Sequence, residues 1–127
     1  MTYKILIVDD NELNLSLIKR ILEIEKYLVF TANNGIEALQ IIENSSPDII
    51  FLDVMMPDIN GYELCEKIRM PPYSITSPVI MLTAMDSESE RTMAKNSGAN
   101  GVWSKPFDVD LLTLRIKELI NENEKYT

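Results

Sequence analysis

Pro47-Asp48-Ile49-Ile50-Phe51-Leu52-Asp53 places four large apolar residues in a row between a Pro-Asp pair and a single carboxylate. An apolar run this short reads as a strand, and one that is apolar on both faces reads as a strand covered on both sides, as in a parallel sheet. The pattern recurs outward from that stretch. Ile5-Leu6-Ile7-Val8 runs into Asp9-Asp10, Val79-Ile80-Met81-Leu82 runs into Thr83, and Val102-Trp103 is soon followed by Lys105-Pro106. Parallel strands bring their C-terminal ends to one sheet edge, where ligands bind in open α/β sheets. Three carboxylates, a hydroxyl and an ammonium therefore converge, a set suited to a divalent metal and a phosphoryl group.

Strands are predicted over 4–8, 28–32, 49–52, 79–82 and 101–104, and helices over 12–25, 35–44, 62–70 and 87–96. A last helix is capped by Asp108 and runs to about residue 121. In the first helix Leu13, Leu17, Ile21 and Ile24 form one apolar side, with Leu15, Ile18 and Leu22 widening it. Ala38, Leu39 and Ile42 point inward from the second helix, and Leu64 and Ile68 from the third, which Pro71-Pro72 ends. The fourth offers only Met93 and Ala94 as anchors, so packing holds it weakly and it is the expected moving part. The last helix buries Leu111, Leu112, Leu114, Ile116, Leu119 and Ile120 to varying degrees. Strand and helix alternate five times, and right-handed crossovers make this a doubly wound α/β fold with helices on both faces. One domain is expected over 1–122, with a polar tail at 123–127.

A chain of 127 residues buries roughly two-thirds of its unfolded surface, enough for a core without staples. The net charge of -8 argues against a nucleic-acid or anionic-membrane partner. Cys65 stands alone, so no internal disulfide forms; it reads as a small buried hydrophobe, and a cytoplasmic setting fits. The absence of histidine excludes a histidine triad, a histidine zinc site and a histidine phosphocarrier. There is no signal-peptide pattern, and no apolar run approaches the ~18 residues of a membrane span.

Asp9, Asp10 and Asp53 repel one another unless a cation joins them, and all-oxygen ligation suits Mg²⁺ or Mn²⁺. Asp9 and Asp10 are neighbours on a strand end and face different ways, so their roles differ. Asp10 or Asn11 is also a natural cap for the helix after it. Asp53 ends the central strand, where a carboxylate can attack phosphorus. Metal and Lys105 would stabilise charge on the transferred group, and Thr83 would donate its hydroxyl to it. A cis Lys105-Pro106 bond would turn the lysine stem inward. The Met55 carbonyl is a further metal ligand, while the Met55 and Met56 side chains are expected to pack in the loop. Asp58 and Asp86 read as turn or cap residues.

The segments ILIVDDN, PDIIFLDVMMPDINGYEL, PVIMLTA and SKPF, in this order and at this spacing, resemble the receiver domain of two-component response regulators over about Tyr3 to Ile120. ILIVDDNELNLSL and DVMMPDINGYELCEKIR further resemble receivers of cell-cycle regulators, both lone ones and those coupled to diguanylate cyclases. The resemblance implies a flavodoxin-like strand order of 2-1-3-4-5. It implies that Asp53 accepts a phosphoryl group from the phosphohistidine of a sensor histidine kinase or phosphotransfer protein. Asp10, Asp53 and the Met55 carbonyl would bind Mg²⁺, with Asp9 acting through water. Lys105 would pair with Asp53 and then the phosphate, and Thr83 would move to the phosphoryl group. The face of the fourth helix, fifth strand and fifth helix would then bind a downstream protein. Such a chain is a monomer or a weak phosphorylation-dependent dimer, and catalyses only its own phosphorylation and dephosphorylation.

This chain departs from the family at Val102, where receivers commonly carry an aromatic residue three before the lysine. Trp103 follows and faces the opposite way, either filling the core or lying on the partner-facing surface. Met55 and Met85, two residues after Asp53 and Thr83, would hinder the hydrolytic water and lengthen the phosphoryl lifetime. Alternative readings are the receiver portion of a larger regulator such as a diguanylate cyclase, a Mg²⁺-dependent aspartyl-phosphate hydrolase, and a phosphorylation-independent interaction module. Aspartyl hydrolases of the haloacid-dehalogenase type need a second carboxylate two residues after the nucleophile, and Met55 stands there.

Overall fold

The computed structural model describes residues 2–85, 87–105 and 109–125. Strands and helices alternate as β1 (Lys4–Val8), α1 (Glu12–Ile24), β2 (Leu28–Ala32), α2 (Gly35–Ser45), β3 (Ile49–Asp53), α3 (Gly61–Arg69), β4 (Val79–Thr83), α4 (Glu88–Asn96), β5 (Gly101–Ser104) and α5 (Val109–Lys125). The strands pair in parallel in the order β2-β1-β3-β4-β5. This is the doubly wound, flavodoxin-like sheet expected from the sequence. α5 is the largest departure in element ends, continuing to Lys125 beyond the expected stop. The expected Asp86 turn, the Lys105-Pro106 bond geometry and the Asp108 cap lie outside the described residues.

Side chains alternate across each strand, so one sheet feeds two cores. Leu6, Val8, Ile50, Leu52, Val79 and Met81 face α2, α3 and α4, meeting Ala38, Ile42, Leu64, Cys65, Ile68 and Ala94. Ile5, Ile7, Ile49, Phe51, Ile80 and Leu82 face α1 and α5, meeting Leu15, Ile18, Leu22, Leu112, Ile116 and Ile120. Cys65 is fully buried, and that burial pushes its thiol pKa up, as fits a packing residue.

Polar caps start the helices at the edge where the strands end. Asn11, Asn34, Asn60 and Ser87 each accept from free N–H groups of the first turn that follows. The Asn34 and Asn60 side-chain amides also donate to the carboxylates of Glu37 and Glu63, a side-chain pairing across the first turn.

Several apolar side chains are more exposed than expected. In α1 the buried stripe is Leu15, Ile18 and Leu22, whereas Leu13 (83%), Leu17 and Ile24 face outward. Both stripes have helical spacing, and the turn after β1 selects the one that meets the sheet. Met93 is half exposed, leaving Ala94 as the only buried side chain of α4. Leu111 and Leu114 of α5 are also exposed. Among the described residues no helix is long and apolar enough to cross a membrane.

Two polar side chains tie the loops down. Arg69, at the end of α3, donates to the carbonyls of Gly98 (3.0 Å), Ile75 (3.0 Å) and Ser77 (2.7 Å) and to Asn100 Oδ1 (2.9 Å). It thereby joins the loop before β4 to the loop before β5. Gly98 has φ +97, and a side chain there would press on Arg69 Cγ at 3.0 Å. Asp58, between β3 and α3, accepts from Gly35 N (3.0 Å) and Ile36 N (3.1 Å) at the start of α2, which makes it a cap in trans.

Arg69→Ala takes the side-chain donor from three carbonyls, while Asn100 Oδ1 keeps the Val79 N–H, and is expected to cost about 2 kcal/mol, read as a lower urea midpoint at unchanged slope. The N–H donors of Gly35 and Ile36, with those of the surrounding turn, hold the Asp58 carboxyl below its ordinary pKa. Its stabilising contribution is therefore complete above the ordinary carboxylate value and disappears as pH falls through the lowered folded one. Asp58→Asn should lower stability at neutral pH and flatten that part of the acid limb in pH-dependent thermal melts.

Candidate functional site

The site is assembled by strand ends. Asp9 follows β1 and keeps its backbone in the ladder, Asp9 N donating to Ala32 O at 3.1 Å. Asp53 is the last residue of β3, Thr83 the last of β4, and Lys105 directly follows β5. Lys105 N donates to Thr83 O at 2.7 Å, extending the β4–β5 ladder by one residue. This ladder bond anchors the lysine backbone at the edge.

The register sorts these residues between the two faces. Asp9 continues the alternation of Ile5 and Ile7, Asp53 that of Ile49 and Phe51, and Lys105 that of Trp103, all on the α1/α5 side. Thr83 instead continues Val79 and Met81, on the α4 side.

Asp9, Asp10 and Asp53 each offer a carboxylate oxygen, and these oxygens lie within 4.8 Å of one another. Asp9 is fully buried, Asp53 nearly so, and Asp10 is exposed, so the adjacent pair sits in unlike environments. The Lys105 ammonium sits 2.9 Å from Asp9 Oδ2 and 3.1 Å from Asp53 Oδ2. Asp9 Oδ1 accepts from Asn11 N at 2.9 Å, and Asp53 Oδ1 from Met55 N at 3.2 Å. Three carboxylates against one ammonium leave two negative charges, the amount a divalent cation would neutralise. The donor set fits a hard cation taking oxygen ligands.

Burial raises the Asp53 pKa, and the Asp9 charge adds to the rise, against lowering by Lys105 and the Met55 N–H. Burial alone would lower the Lys105 pKa; the Asp9 hydrogen bond and the two carboxylate charges outweigh it and hold the ammonium above its ordinary value. Lys105 is thus a fixed positive charge between two carboxylates.

The loop after Asp53 closes back on the strand, with Gly61 N donating to Val54 O at 3.0 Å. A side chain on Gly61 would fall 2.4 Å from the Asp53 carbonyl oxygen, so only glycine permits that approach. Met56 packs on the core as expected, but Met55 does not. Its side chain is 75% exposed because its N–H is turned toward Asp53, and Met85 is 71% exposed.

The Thr83 hydroxyl is engaged away from the carboxylates. It donates to Glu90 Oε2 at 2.5 Å, with the Met85 carbonyl oxygen a second and longer acceptor at 3.2 Å, and accepts from Met85 N at 3.1 Å. Glu90 was not singled out in the sequence. Three residues after Ser87 it reads as an ordinary capping-box glutamate, and no local pattern points it to Thr83.

Val102 packs on the α4 side and Trp103 on the opposite side, as alternation requires. The half-buried Trp103 ring meets Phe51 at 5.3 Å between centroids, and the Arg115 guanidinium lies 5.2 Å above it. The ring therefore combines core packing with a charged contact from α5.

The response regulator receiver domain profile matches residues 5–117. The Bacillus subtilis alkaline phosphatase synthesis transcriptional regulatory protein PhoP is 38% identical over 124 residues, covering 98% of this chain and 51% of PhoP. Response regulator PleD of Caulobacter vibrioides is 40% identical over 119 residues, covering 94% of this chain and 26% of PleD. The chain thus spans about half or less of the length of these relatives. A CheY-like receiver domain protein from Methanospirillum hungatei superimposes with a TM-score of 0.91 at 35% identity, covering 100% of both chains. A two-component response regulator from Clostridium difficile gives 0.88 at 30% identity, covering 94% of this chain and 97% of that one.

Proposed function

The chain belongs to the response regulator receiver family of two-component signalling, and on that premise we propose that it is a phosphorylation switch with Asp53 as the acceptor. The observation that carries this reading is the meeting of Asp9, Asp10 and Asp53 with the Lys105 ammonium at one sheet edge. An Asp53 carboxylate oxygen would attack the phosphorus of a phosphohistidine on a sensor kinase or phosphotransfer protein. The oxygen–phosphorus bond forms as the nitrogen–phosphorus bond breaks, and the electron pair leaves with the imidazole.

Asp10, Asp53 and the Met55 carbonyl would hold Mg²⁺ or Mn²⁺, with Asp9 acting through water; the bound ion supplies neutralising charge for the incoming group. Lys105 stays with Asp9 and exchanges its Asp53 contact for a phosphoryl oxygen. The Met55 N–H, already aimed at Asp53, orients the acceptor. Thr83 gives its hydroxyl to the transferred group, which displaces the start of α4 and alters the α4–β5–α5 face. Exposed Met93, Leu111 and Leu114 give that face apolar ground for a downstream protein. The exposed Leu13 and Leu17, in the first turns after Asp9-Asp10, give the phosphoryl donor a place to dock.

The expected setting is the cytoplasm and the expected state a monomer or weak phosphorylation-dependent dimer. The only chemistry proposed is the chain's own phosphorylation and dephosphorylation. The greater length of PhoP and PleD favours a second reading, in which the same switch serves as the receiver unit of a longer regulator.

Incubation with Mg²⁺ and acetyl phosphate should add the mass of one phosphate to the wild type and none to Asp53→Asn. A gain that persists in Asp53→Asn would refute the assignment. Replacing Met55 and Met85 by Asn and Glu should speed phosphoryl loss roughly tenfold, about 1.4 kcal/mol of barrier. An unchanged half-life in the double variant would remove the two methionines from the account.

A further inference from the structure

Glu90 lies in the first turn of α4, three residues after the Ser87 cap. A glutamate there normally reaches back to the backbone N–H of the cap. In this chain the Ser87 N–H donates to the Met85 carbonyl at 3.1 Å, and Glu90 takes the Thr83 hydroxyl instead. A hydroxyl has a single proton to give. While the Glu90 carboxylate accepts it, in a bond strengthened by charge, Thr83 has none to offer an anion on Asp53.

A second observation lies in α3. The Tyr62 hydroxyl is buried and lacks a hydrogen-bond partner among the described residues. Burial raises its pKa, and the Glu90 charge raises it further, so the phenol lies within the field of that carboxylate. A buried donor without an acceptor is uncommon, and this one lies near enough to Glu90 to feel its charge.

We propose that Glu90 is a positioning residue for the phosphorylation of this chain, acting through Thr83. In the unphosphorylated protein it holds the Thr83 hydroxyl; on phosphorylation it yields that hydroxyl to a phosphoryl oxygen and turns to the hydroxyl of Tyr62. The inference rests on Asp53 being the phosphoacceptor. α4 offers little resistance to such a shift, because Ala94 is its only buried side chain. The exchange is one hydrogen bond for another, with no change in covalent structure.

Beryllofluoride, supplied with Mg²⁺, provides the test as a phosphoryl analogue titrated calorimetrically. Glu90→Ala should bind it about tenfold more tightly than wild type, the size of one charge-assisted hydrogen bond no longer to be broken. Glu90→Gln, which keeps a weaker acceptor, should fall between. Removing a negative charge near an anion site would also tighten binding, but without needing Thr83. In a Thr83→Ala background Glu90→Ala should therefore change affinity by less than about twofold. Tyr62→Phe should weaken binding about threefold in the wild type and leave it unchanged in Glu90→Ala. Equal affinity of wild type and Glu90→Ala would overturn the inference, as would the same gain with and without Thr83. Failure of every variant, wild type included, to take up beryllofluoride would instead bring down the Asp53 reading, and this inference with it.

Discussion

The ammonium of Lys105, held between Asp9 and Asp53, is the interaction on which the site depends. Its backbone lies beyond β5, an edge strand, while Asp9 follows β1 and Asp53 ends β3, with β4 between. The side chain must reach across the end of β4 to make both contacts. It offsets part of the repulsion among three carboxylates, one of them fully buried, and leaves a net demand for two positive charges. Breaking the pair would leave an uncompensated buried charge, so the lysine is as much a structural member of the edge as a chemical one.

The parity of the strands divides the residues of this edge between the two faces of the sheet. Asp9, Asp53 and Lys105 stand on the α1/α5 side, and Thr83 stands on the α4 side, although all end adjacent or near-adjacent strands. Thr83 thereby stands between the carboxylate cluster and the helix whose Glu90 it bonds. The helix it touches is the least embedded of the five, having a single buried side chain. On the proposed phosphorylation of Asp53, a small rearrangement there would pass to the element that costs least to displace.

Most of the sheet and site was legible because it rests on strong, local signals. Apolar runs marked the strands, and the polar residues just past them marked the edge. The sequence also led to Asp58 as a cap, Cys65 as a packing residue and Trp103 on the face opposite Val102, since each follows from chemistry or alternation alone. The phase of α1 was not legible: its two apolar stripes are equally helical, and only contact with the sheet selects Leu15, Ile18 and Leu22. Arg69 and Glu90 were missed for a related reason. Their partners lie in other loops and elements, and locally each passes for an ordinary helix-end charge. Met55 and Met93 were expected inside because they are apolar, but Met55 is largely exposed and Met93 half exposed.

The chain contains one tryptophan, and its ring rests on Phe51, two residues before Asp53, while its own backbone lies two residues before Lys105. A cation from α5 covers the ring. The indole thus joins two of the three strands that supply the central charges, β3 and β5, and the last helix as well. Its emission offers a label-free optical gauge of this half of the molecule, and near-ultraviolet circular dichroism of the Phe51–Trp103 contact offers a second, needing no dye and no alteration of the chain.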